Sequence, residues 1–433
     1  MQGIVNPSSL GLETLAKQPE ADGRELVPGV YSYVDTQGNS GWHILDRDPR
    51  QSFKVIRSCS LLSPANSTLA SYLGCRRALC LLDPKIEKLH GQRIRAYFTA
   101  HGIAHVDFCL PRRAIPESNK SFQVLGNVST WVLDQDPDGD DVIVIFGGGV
   151  LIDLGGSVAD FVRRGLLPYV SIPTTPIAMV DAAVSPKTAV NIGSHKNGGG
   201  GRYAPEVVLM DTAFLRTVDH SALLDGLSEI AKIAIVGDAR LFDVIEEFGV
   251  ELVRRHFQSK LGELVLCRSI ESFLTLKAQL GEPSIRAFGH MFSKLLESLS
   301  NYKLTHGEAV AIEQRIAAFL SADEGLLNAN DLERLQSWFD QIGLASFADV
   351  CDTSQIWDHV FAKAYQKGRS FDFPLPGRQI GKGTFLKRFT RQQLAVAISQ
   401  ARKRASDTIL RVKTGRSQKR RRAPRLRFLR STA

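Results

Sequence analysis

The stretch that decides the fold covers residues 141–203 and reads DVIVIFGGGVLIDLGGSVADFVRRGLLPYVSIPTTPIAMVDAAVSPKTAVNIGSHKNGGGGRY. Residues 142–146 are apolar and rich in β-branched side chains, which is typical of a strand buried on both faces. Three glycines follow at 147–149, and an apolar segment with small residues then continues to Arg163 and Arg164. A strand, a glycine turn and a helix in this order direct backbone N–H groups towards phosphate oxygens.

A second buried strand is predicted at residues 169–172, and it ends at Pro-Thr-Thr. The segment after it is too polar and too rich in glycine to belong to a core; it contains Asp181, Lys187, Asn191, His195, Lys196 and Asn197. The glycine triplet lacks the GxGxxG spacing, so taken alone it fits a tight turn equally well. The combination of triplet, threonines and polar segment favours a phosphate-binding site.

Composition indicates a folded protein that is large enough for two domains. The chain has 433 residues, of which 43% are hydrophobic, and a mean hydropathy of -0.08. No apolar run reaches the ~20 residues that a membrane span requires, and residues 1–27 do not resemble a signal peptide. The six cysteines form no CxxC pair, which favours unpaired thiols in a reducing compartment. We therefore expect a cytoplasmic protein without a membrane span.

The net charge of +9 is unevenly distributed along the chain. Residues 401–433 contain 13 Lys or Arg and one acid, which gives +12. The remaining 400 residues hold 41 basic and 44 acidic groups, which gives -3. We expect residues 401–433 to be a basic, disordered tail that binds polyanions non-specifically, or that has no partner.

The order of patterns predicts two domains between mobile ends. Residues 1–27 lack periodicity and are predicted to be mobile, and residues 28–209 alternate short strands with helices. Antiparallel strands are expected at 29–60, and a βαβ unit at 78–109. Residues 210–400 are mainly helical, with helices predicted at 221–236, 284–300, from 306 to about 320, and from 390 to about 398. The fold class is an α/β N-terminal domain followed by a mostly α-helical C-terminal domain.

The sequence resembles the 3-dehydroquinate synthase superfamily of sugar-phosphate cyclases. The resembling motifs in the N-terminal half are GGGVLIDLGG, RRG, IPTTPIAMVDA, KTAVN and HKN, and they occur in the family's order. The resemblance implies an N-terminal domain that binds NAD. The implied cofactor contacts are Asp83, Gly147, Gly148, Gly149, Asp153, Thr174 and Thr175. For Asp83, which ends the first strand of the βαβ unit, a turn or helix cap is the alternative interpretation.

Three further motifs, GLSEIAK, AFGHMFSKLLE and THGEAV, resemble the metal-ligand motifs of this superfamily. They carry Glu229, His290 and His306, and the separation of 16 between the two histidines also matches. One carboxylate and two imidazoles leave open positions on a catalytic zinc ion. The resemblance therefore implies a divalent metal, zinc or alternatively cobalt. A histidine that only packs or caps a helix is the alternative for each residue taken alone.

The resemblance also implies a set of catalytic and substrate-binding residues: Asp181, Lys187, Lys196, Asn197, Lys232 and Arg164. Fixed cationic donors suit a phosphate leaving group and a developing enolate. The implied reaction is the cyclisation of sedoheptulose 7-phosphate to the C7 cyclitol 2-epi-5-epi-valiolone. It proceeds with transient NAD redox, phosphate elimination and intramolecular aldol closure, which would make the enzyme a carbon–oxygen lyase. The implied assembly is a homodimer.

Several departures keep alternatives open. Dehydroquinate synthases have a second histidine four residues after the ligand, where this chain has Lys294, while the related sedoheptulose 7-phosphate cyclases usually have proline. Ala287, three residues before His290, is similar to the residue found at this position in the desmethyl-4-deoxygadusol synthases. The segment between Lys277 and His290 is shorter than in the family, and residues 198–201 are a four-glycine run. The alternatives are 3-dehydroquinate synthase, desmethyl-4-deoxygadusol synthase, a metal-dependent polyol dehydrogenase and an inactive NAD-binding descendant.

Overall fold

The computed structural model describes residues 23–421 except 36, 113–116, 194, 281–284, 346 and 363–371. Strands in these residues are β1 (Glu25–Val27), β2 (Val30–Val34), β3 (Ser40–Ile44), β4 (Phe53–Arg57), β5 (Arg77–Leu82), β6 (His105–Cys109), β7 (Asp141–Gly147), β8 (Tyr169–Pro173), β9 (Val190–Ile192), β10 (His195–Gly199), β11 (Val207–Met210), β12 (Phe373–Pro376) and β13 (Gly383–Leu386). Residues 1–27 are predicted to be a mobile N-terminus, and residues 1–22 of this segment lie outside the described residues. Its last residues form β1.

Nine of these strands form one sheet in the order β1-β2-β3-β4-β11-β8-β7-β5-β6. Strands β1 to β4 pair antiparallel, and the pairs from β4 through β11 and β8 to β6 are parallel. Because parallel strands run in one direction, the residues after β5, β7 and β8 reach the same edge of the sheet. This arrangement confirms the α/β half predicted from sequence.

Strand β7 is buried on both faces, as its composition predicts. Ile143 and Ile145 belong to a core that extends into the helical half of the chain. Val142, Val144 and Phe146 point the other way, into a second core against the helix after β5. All five are fully buried, so neither face tolerates a polar side chain without a partner.

The α-helices among the described residues are α1 (Thr68–Leu73), α2 (Pro84–Ala100), α3 (Phe122–Asp134), α4 (Gly149–Phe161), α5 (Pro176–Val180), α6 (His220–Gly237), α7 (Ala239–Arg254), α8 (Lys260–Leu280), α9 (Ser293–Leu299), α10 (His306–Asp323), α11 (Ala329–Gln341), α12 (Thr353–Ile356) and α13 (Arg391–Arg421). From α6 onward, helices predominate, which confirms the predicted helical half. Strand β11 ends one residue past the boundary predicted at 209/210. The division into two domains there stays a prediction.

The helix predicted for residues 284–300 is wrong over most of its length. A 3-10 turn covers Ile285–Ala287, and α9 begins at Ser293. Gly289 between them has a φ of +76°, a left-handed conformation that a continuous helix of L-residues does not adopt. His290 therefore lies in a turn, and its N–H donates to the carbonyl of Ala287 at 2.8 Å.

Helix α10 packs closely against α6. Thr305 caps its N-terminus in a capping box with Glu308. A Cβ on Gly307 would lie 2.3 Å from Cα of Asp225, so any larger residue would push the two helices apart. Asp225 Oδ1 accepts from the Thr305 hydroxyl at 2.5 Å and from Gly307 N–H at 3.2 Å. This contact places the first residue of α10, His306, beside the middle of α6.

The prediction of a disordered tail beginning at residue 401 is wrong for its first part. Helix α13 continues to Arg421, and Ala401 and Ala405 are buried. Arg404 donates to Glu333 at 3.0 and 2.9 Å and to Asp340 Oδ2 at 2.8 Å. The charge composition of residues 401–433 could not predict these contacts, because the acidic partners lie on α11, far away in sequence. Residues 422–433 lie outside the described residues.

The six cysteines are unpaired thiols, as predicted. Cys80, Cys267 and Cys351 are buried, whereas Cys59, Cys75 and Cys109 are exposed. Within the described residues, every helix is too short or too polar to cross a membrane.

Candidate active site between the sheet and the helices

A cavity of about 570 Å³ opens at the carboxyl edge of the sheet and is closed on its other side by helices. Asp83 follows β5, Gly148 follows β7, and Thr174 and Thr175 follow β8, and all four line it. Other predicted site residues also line the cavity: Gly149, Asp153, Asp181, Lys196, Asn197, His290 and His306. Most residues predicted for the cofactor and both histidines predicted for the metal therefore line one space, whereas Gly147 and Glu229 are not among its lining residues.

The glycine turn brings the N-terminus of α4 to the cavity wall. Gly148 is the N-cap of α4 and has no side chain to occupy the exposed N–H groups. A Cβ on Gly148 would lie 3.2 Å from Cγ2 of Thr175. Gly147 packs inward, since its Cβ would be 2.7 Å from Leu151 Cδ2. Gly147 is thus needed for the turn, while Gly148 and Gly149 face the cavity.

Asp83 caps a helix, which is the alternative that its sequence position suggested, and its role towards a cofactor stays a prediction. Its Oδ1 accepts from the N–H of Lys85 at 2.7 Å and caps α2. It also lines the cavity. A helix cap therefore holds this carboxylate at the end of β5.

A buried lysine that the sequence analysis missed links three segments beside the glycine turn. Lys120 is 1% exposed, and its Nζ lies 2.7 Å from Asp153 Oδ2 and 2.8 Å from Asn197 Oδ1. Glu117 Oε1 lies 3.1 Å away. Burial raises the pKa of Asp153, and Lys120 opposes that shift. No local motif identifies Lys120, because its partners lie 33 and 77 residues further along the chain.

The three predicted metal ligands come together at one end of the cavity. Glu229 Oε1 lies 3.4 Å from Nε2 of His290 and 3.2 Å from Nε2 of His306. One ligand atom from each residue fits within 4.8 Å of the others. Glu229 is fully buried, and Oε1 has no hydrogen-bond partner among the described residues. A buried carboxylate oxygen between two imidazole nitrogens fits a divalent metal and is costly without one.

The charges at this site also suit a cation. Burial raises the pKa of Glu229, but Lys232 and the two histidines together hold it well below its usual range. Burial, with Lys232, keeps the pKa of His290 well below its usual value, so that ring is neutral and can donate a lone pair. Lys232 Nζ lies 2.5 Å from Glu229 Oε2. Lys232 is absent from the described cavity lining and instead pairs with the carboxylate of Glu229.

Glu297 orients one of the two histidines. Its Oε1 lies 3.0 Å from Nδ1 of His306, and Lys196 Nζ lies 2.9 and 2.7 Å from its two carboxylate oxygens. Burial disfavours protonation of His306, but the carboxylates of Glu229 and Glu297 raise its pKa to about 9. Without a metal the ring is therefore protonated near neutral pH; a metal at Nε2 would displace that proton, while the carboxylate on Nδ1 keeps the other proton in place. The sequence analysis gave Glu297 no role, since its partners lie on other elements.

A second buried acid holds the turn that carries His290. Glu313, on α10, accepts from the backbone N–H groups of Met291, Phe292 and Ser293 at 2.7, 2.7 and 2.6 Å. Burial raises the pKa of Glu313 to about 7, although the three N–H groups favour the charged form. The carboxylate satisfies the free N–H groups at the start of α9. It therefore fixes the segment beside His290.

Besides Lys232, two predicted substrate contacts lie outside the described lining of the cavity. Lys187 is one. Its ammonium group nevertheless acts on the cavity, because it helps to lower the pKa of Lys294, which lines the cavity. Arg164 is the other; it lies in a turn with φ values of 45° at Arg163 and 61° at Arg164. Its neighbours Phe161 and Leu166 are 67% and 71% exposed. A phosphate contact by Arg164 within one chain is therefore not supported.

Comparison with known proteins agrees with this architecture. Residues 114–225 match the 3-dehydroquinate synthase N-terminal family model, and residues 226–363 match the C-terminal model. The chain is 33% identical over 394 residues to a 2-epi-5-epi-valiolone synthase of Streptomyces hygroscopicus subsp. jinggangensis, covering 86% of this chain and 92% of that one. It is also 33% identical to a 3-dehydroquinate synthase of Ruegeria pomeroyi, covering 68% and 80%.

A solved structure gives the same result. The 2-epi-5-epi-valiolone synthase ValA from the same Streptomyces, with NAD+ and Zn2+ bound, matches with a TM-score of 0.77 at 30% identity. The match covers 83% of this chain and 99% of ValA. Together with the matched family models and the cavity described above, these likenesses show that the chain belongs to the 3-dehydroquinate synthase family.

Proposed function

We propose that this chain is an NAD- and metal-dependent cyclase that converts sedoheptulose 7-phosphate to 2-epi-5-epi-valiolone. The observation that carries the proposal is that the glycine turn and the histidines His290 and His306 line one cavity, with the buried Glu229 directly beside the two rings. A polyhydroxy substrate there can meet a redox cofactor and a Lewis acid at once. The identity to 2-epi-5-epi-valiolone synthases selects the substrate.

The cavity wall fits a dinucleotide. Gly148 and Gly149 would hold the pyrophosphate at the N-terminus of α4, and Asp83 would accept from the adenosine ribose. Asp153 and Thr174 lie on the same wall. Bound NAD would accept a hydride from the substrate transiently. Because the turn after β7 consists of glycines, no side chain keeps its backbone away from the pyrophosphate.

The ligand group fits zinc, with cobalt as an alternative ion. Glu229, His290 and His306 would hold it, and it would supply Lewis acidity towards substrate oxygens. Lys232 would position Glu229, and Glu297 would position His306. The protein's own contribution is thus a preformed, partly buried set of ligands.

The remaining polar residues would bind and orient the sugar. Asp181 and Asn197 line the cavity and can accept or donate hydrogen bonds to hydroxyl groups. Lys196, held by Glu297, presents an ammonium group next to His306. It can stabilise a leaving phosphate or a developing enolate. Because the phosphate is eliminated and no electrons are transferred overall, the enzyme would be a carbon–oxygen lyase.

We propose that the enzyme is a homodimer. The turn bearing Arg164 lies between the exposed side chains of Phe161 and Leu166, and neighbouring exposed apolar groups favour a contact with another chain. Arg164 could meet a substrate phosphate across such an interface, since it does not line the described cavity of its own chain. Light scattering tests the dimer, and a monomer at working concentration would contradict it.

The unpaired thiols support a cytoplasmic location. The basic residues near the C-terminus would bind polyanions non-specifically, and that binding should weaken steeply with salt. A tail without a partner is the simpler alternative for residues 422–433.

Two alternatives have direct tests. A 3-dehydroquinate synthase is disfavoured by Lys294, and a polyol dehydrogenase would accumulate NADH. The test is to incubate the protein, loaded with NAD and zinc, with sedoheptulose 7-phosphate and separately with the seven-carbon acid phosphate from which dehydroquinate forms. We expect phosphate release and a cyclised product mass with the first substrate. Turnover of the acid phosphate alone would contradict the proposal, and no turnover of either would indicate an inactive descendant.

A further inference from the structure

Lys294 is a cation in the active-site cavity that the proposed reaction has not yet used. It lies in the first turn of α9, four residues after His290, and lines the cavity together with Lys120 and Lys196. The synthases that this sequence resembles carry histidine or proline at the corresponding position. This lysine is therefore a feature of this chain's own cavity.

The other three lysines of the cavity wall already have carboxylate partners, and the first of them, Lys85, pairs with Asp219 at 2.7 Å. Lys120 pairs with Asp153 and Glu117 at 2.7 and 3.1 Å. Lys196 pairs with both oxygens of Glu297. Among the described residues, no carboxylate pairs with Lys294. Its ammonium group thus has no ion-pair partner among the described residues, although the carboxylate of Glu297 acts on it at longer range.

The surroundings make an anionic ligand favourable at this point. Burial lowers the pKa of Lys294, as do the ammonium groups of Lys196, Lys120 and Lys187, while Glu297 acts in the opposite direction. A partly buried ammonium among like charges is stabilised when a ligand brings a compensating negative charge. A cofactor pyrophosphate would lie by the glycine turn at the start of α4, so the substrate is the better source of that charge.

We propose that Lys294 is a specificity-determining residue that binds the phosphoryl group of the substrate. The inference rests on the proposed function, because sedoheptulose 7-phosphate carries no other anionic group. An ammonium group donates strong hydrogen bonds to phosphate oxygens. It contacts the phosphoryl group both before and after elimination, so it contributes mainly to substrate affinity and to retention of the released phosphate.

The test compares Lys294→Met and Lys294→Arg with the wild type, all loaded with NAD and zinc. Lys303→Met is the matched control, since Lys303 is exposed and lies just after α9. For Lys294→Met we expect KM for sedoheptulose 7-phosphate and the inhibition constant of inorganic phosphate to rise about 10- to 100-fold, the loss of one charged hydrogen bond. The arginine variant should retain most of the affinity, and kcat should change less than KM.

Further measurements separate this inference from the proposed function. Inorganic phosphate binding, measured by calorimetry, needs no turnover. Suppose that the wild-type protein binds phosphate through Lys294 but does not convert the sugar phosphate. That result would overturn the proposed cyclase function, while the proposed role of Lys294 in phosphate binding would stand. A folded Lys294→Met variant with unchanged KM and unchanged phosphate affinity would overturn the subsite. A loss of NAD affinity with unaltered phosphate affinity would also overturn it, by assigning Lys294 to the cofactor.

Discussion

Glu297 and His306 form a carboxylate–imidazole pair, with Oε1 of Glu297 3.0 Å from Nδ1 of His306. Nε2 of the same ring lies 3.2 Å from Glu229 Oε1. The imidazole is therefore held between an orienting carboxylate and a ligand carboxylate. The two nitrogens have separate roles because Glu297 fixes the tautomer.

We expect Glu297→Gln to lower zinc affinity about 10- to 100-fold, as is typical for loss of an orienting carboxylate. An amide NH2 facing Nδ1 favours the tautomer with a proton on Nε2, which then cannot bind metal. Competition with a chromogenic chelator measures the affinity. Glu247→Gln, an exposed acid on α7, serves as the control. Equal zinc affinity in Glu297→Gln and wild type would show that the pair is only structural.

His290→Ala should abolish both metal retention and activity, because two ligands remain where three are required. Elemental analysis after extensive dialysis measures the metal content. The exposed His359, which is not among the residues lining the cavity, provides the control variant His359→Ala. Full metal occupancy in His290→Ala would remove His290 from the ligand set.

Gly148→Val should reduce NAD affinity strongly. Its Cβ would already lie 3.2 Å from Thr175 Cγ2, and its methyl groups would obstruct the approach of a pyrophosphate to the backbone. Gly126→Ala on α3 is the control, since a Cβ there meets nothing within 4 Å. Calorimetric titration with NAD gives the affinities. If Gly148→Val binds NAD as wild type does, the turn is a structural feature.

The sequence predicted the parts of this molecule that depend on local pattern. The buried run of β7, the glycine turn and the histidine at the start of α10 are each visible within a few residues. What it missed depends on contacts across the fold. Lys120 meets Asp153 and Asn197, and Glu313 holds the turn beside His290.

The two incorrect predictions have physical causes as well. The pattern at 284–300 looked helical because apolar residues recur there, but the left-handed Gly289 stops the helix. The basic composition after residue 400 suggested a disordered tail. Arg404 instead pairs with acids of α11, which offsets the cost of ordering that part of α13.

Truncation after Gln400 should lower the melting temperature, because it removes the buried Ala401 and Ala405 and the ion pairs of Arg404. Truncation after Arg421 should change neither the melting temperature nor turnover, since the tail of 422–433 is not expected to contribute to catalysis. Calorimetry and a phosphate-release assay on both shortened proteins test this. A loss of turnover after the second truncation, with unchanged melting temperature, would show that the tail reaches the active site.

The central claim is that one cavity joins a transiently used NAD to a metal site for phosphate elimination. The most direct test follows inorganic phosphate and NADH absorbance together during conversion of sedoheptulose 7-phosphate by the NAD- and zinc-loaded protein. We predict that phosphate appears in step with a dephosphorylated cyclitol and that no NADH accumulates. NADH that accumulates in proportion to substrate consumed, without release of phosphate, would contradict the account and indicate a dehydrogenase.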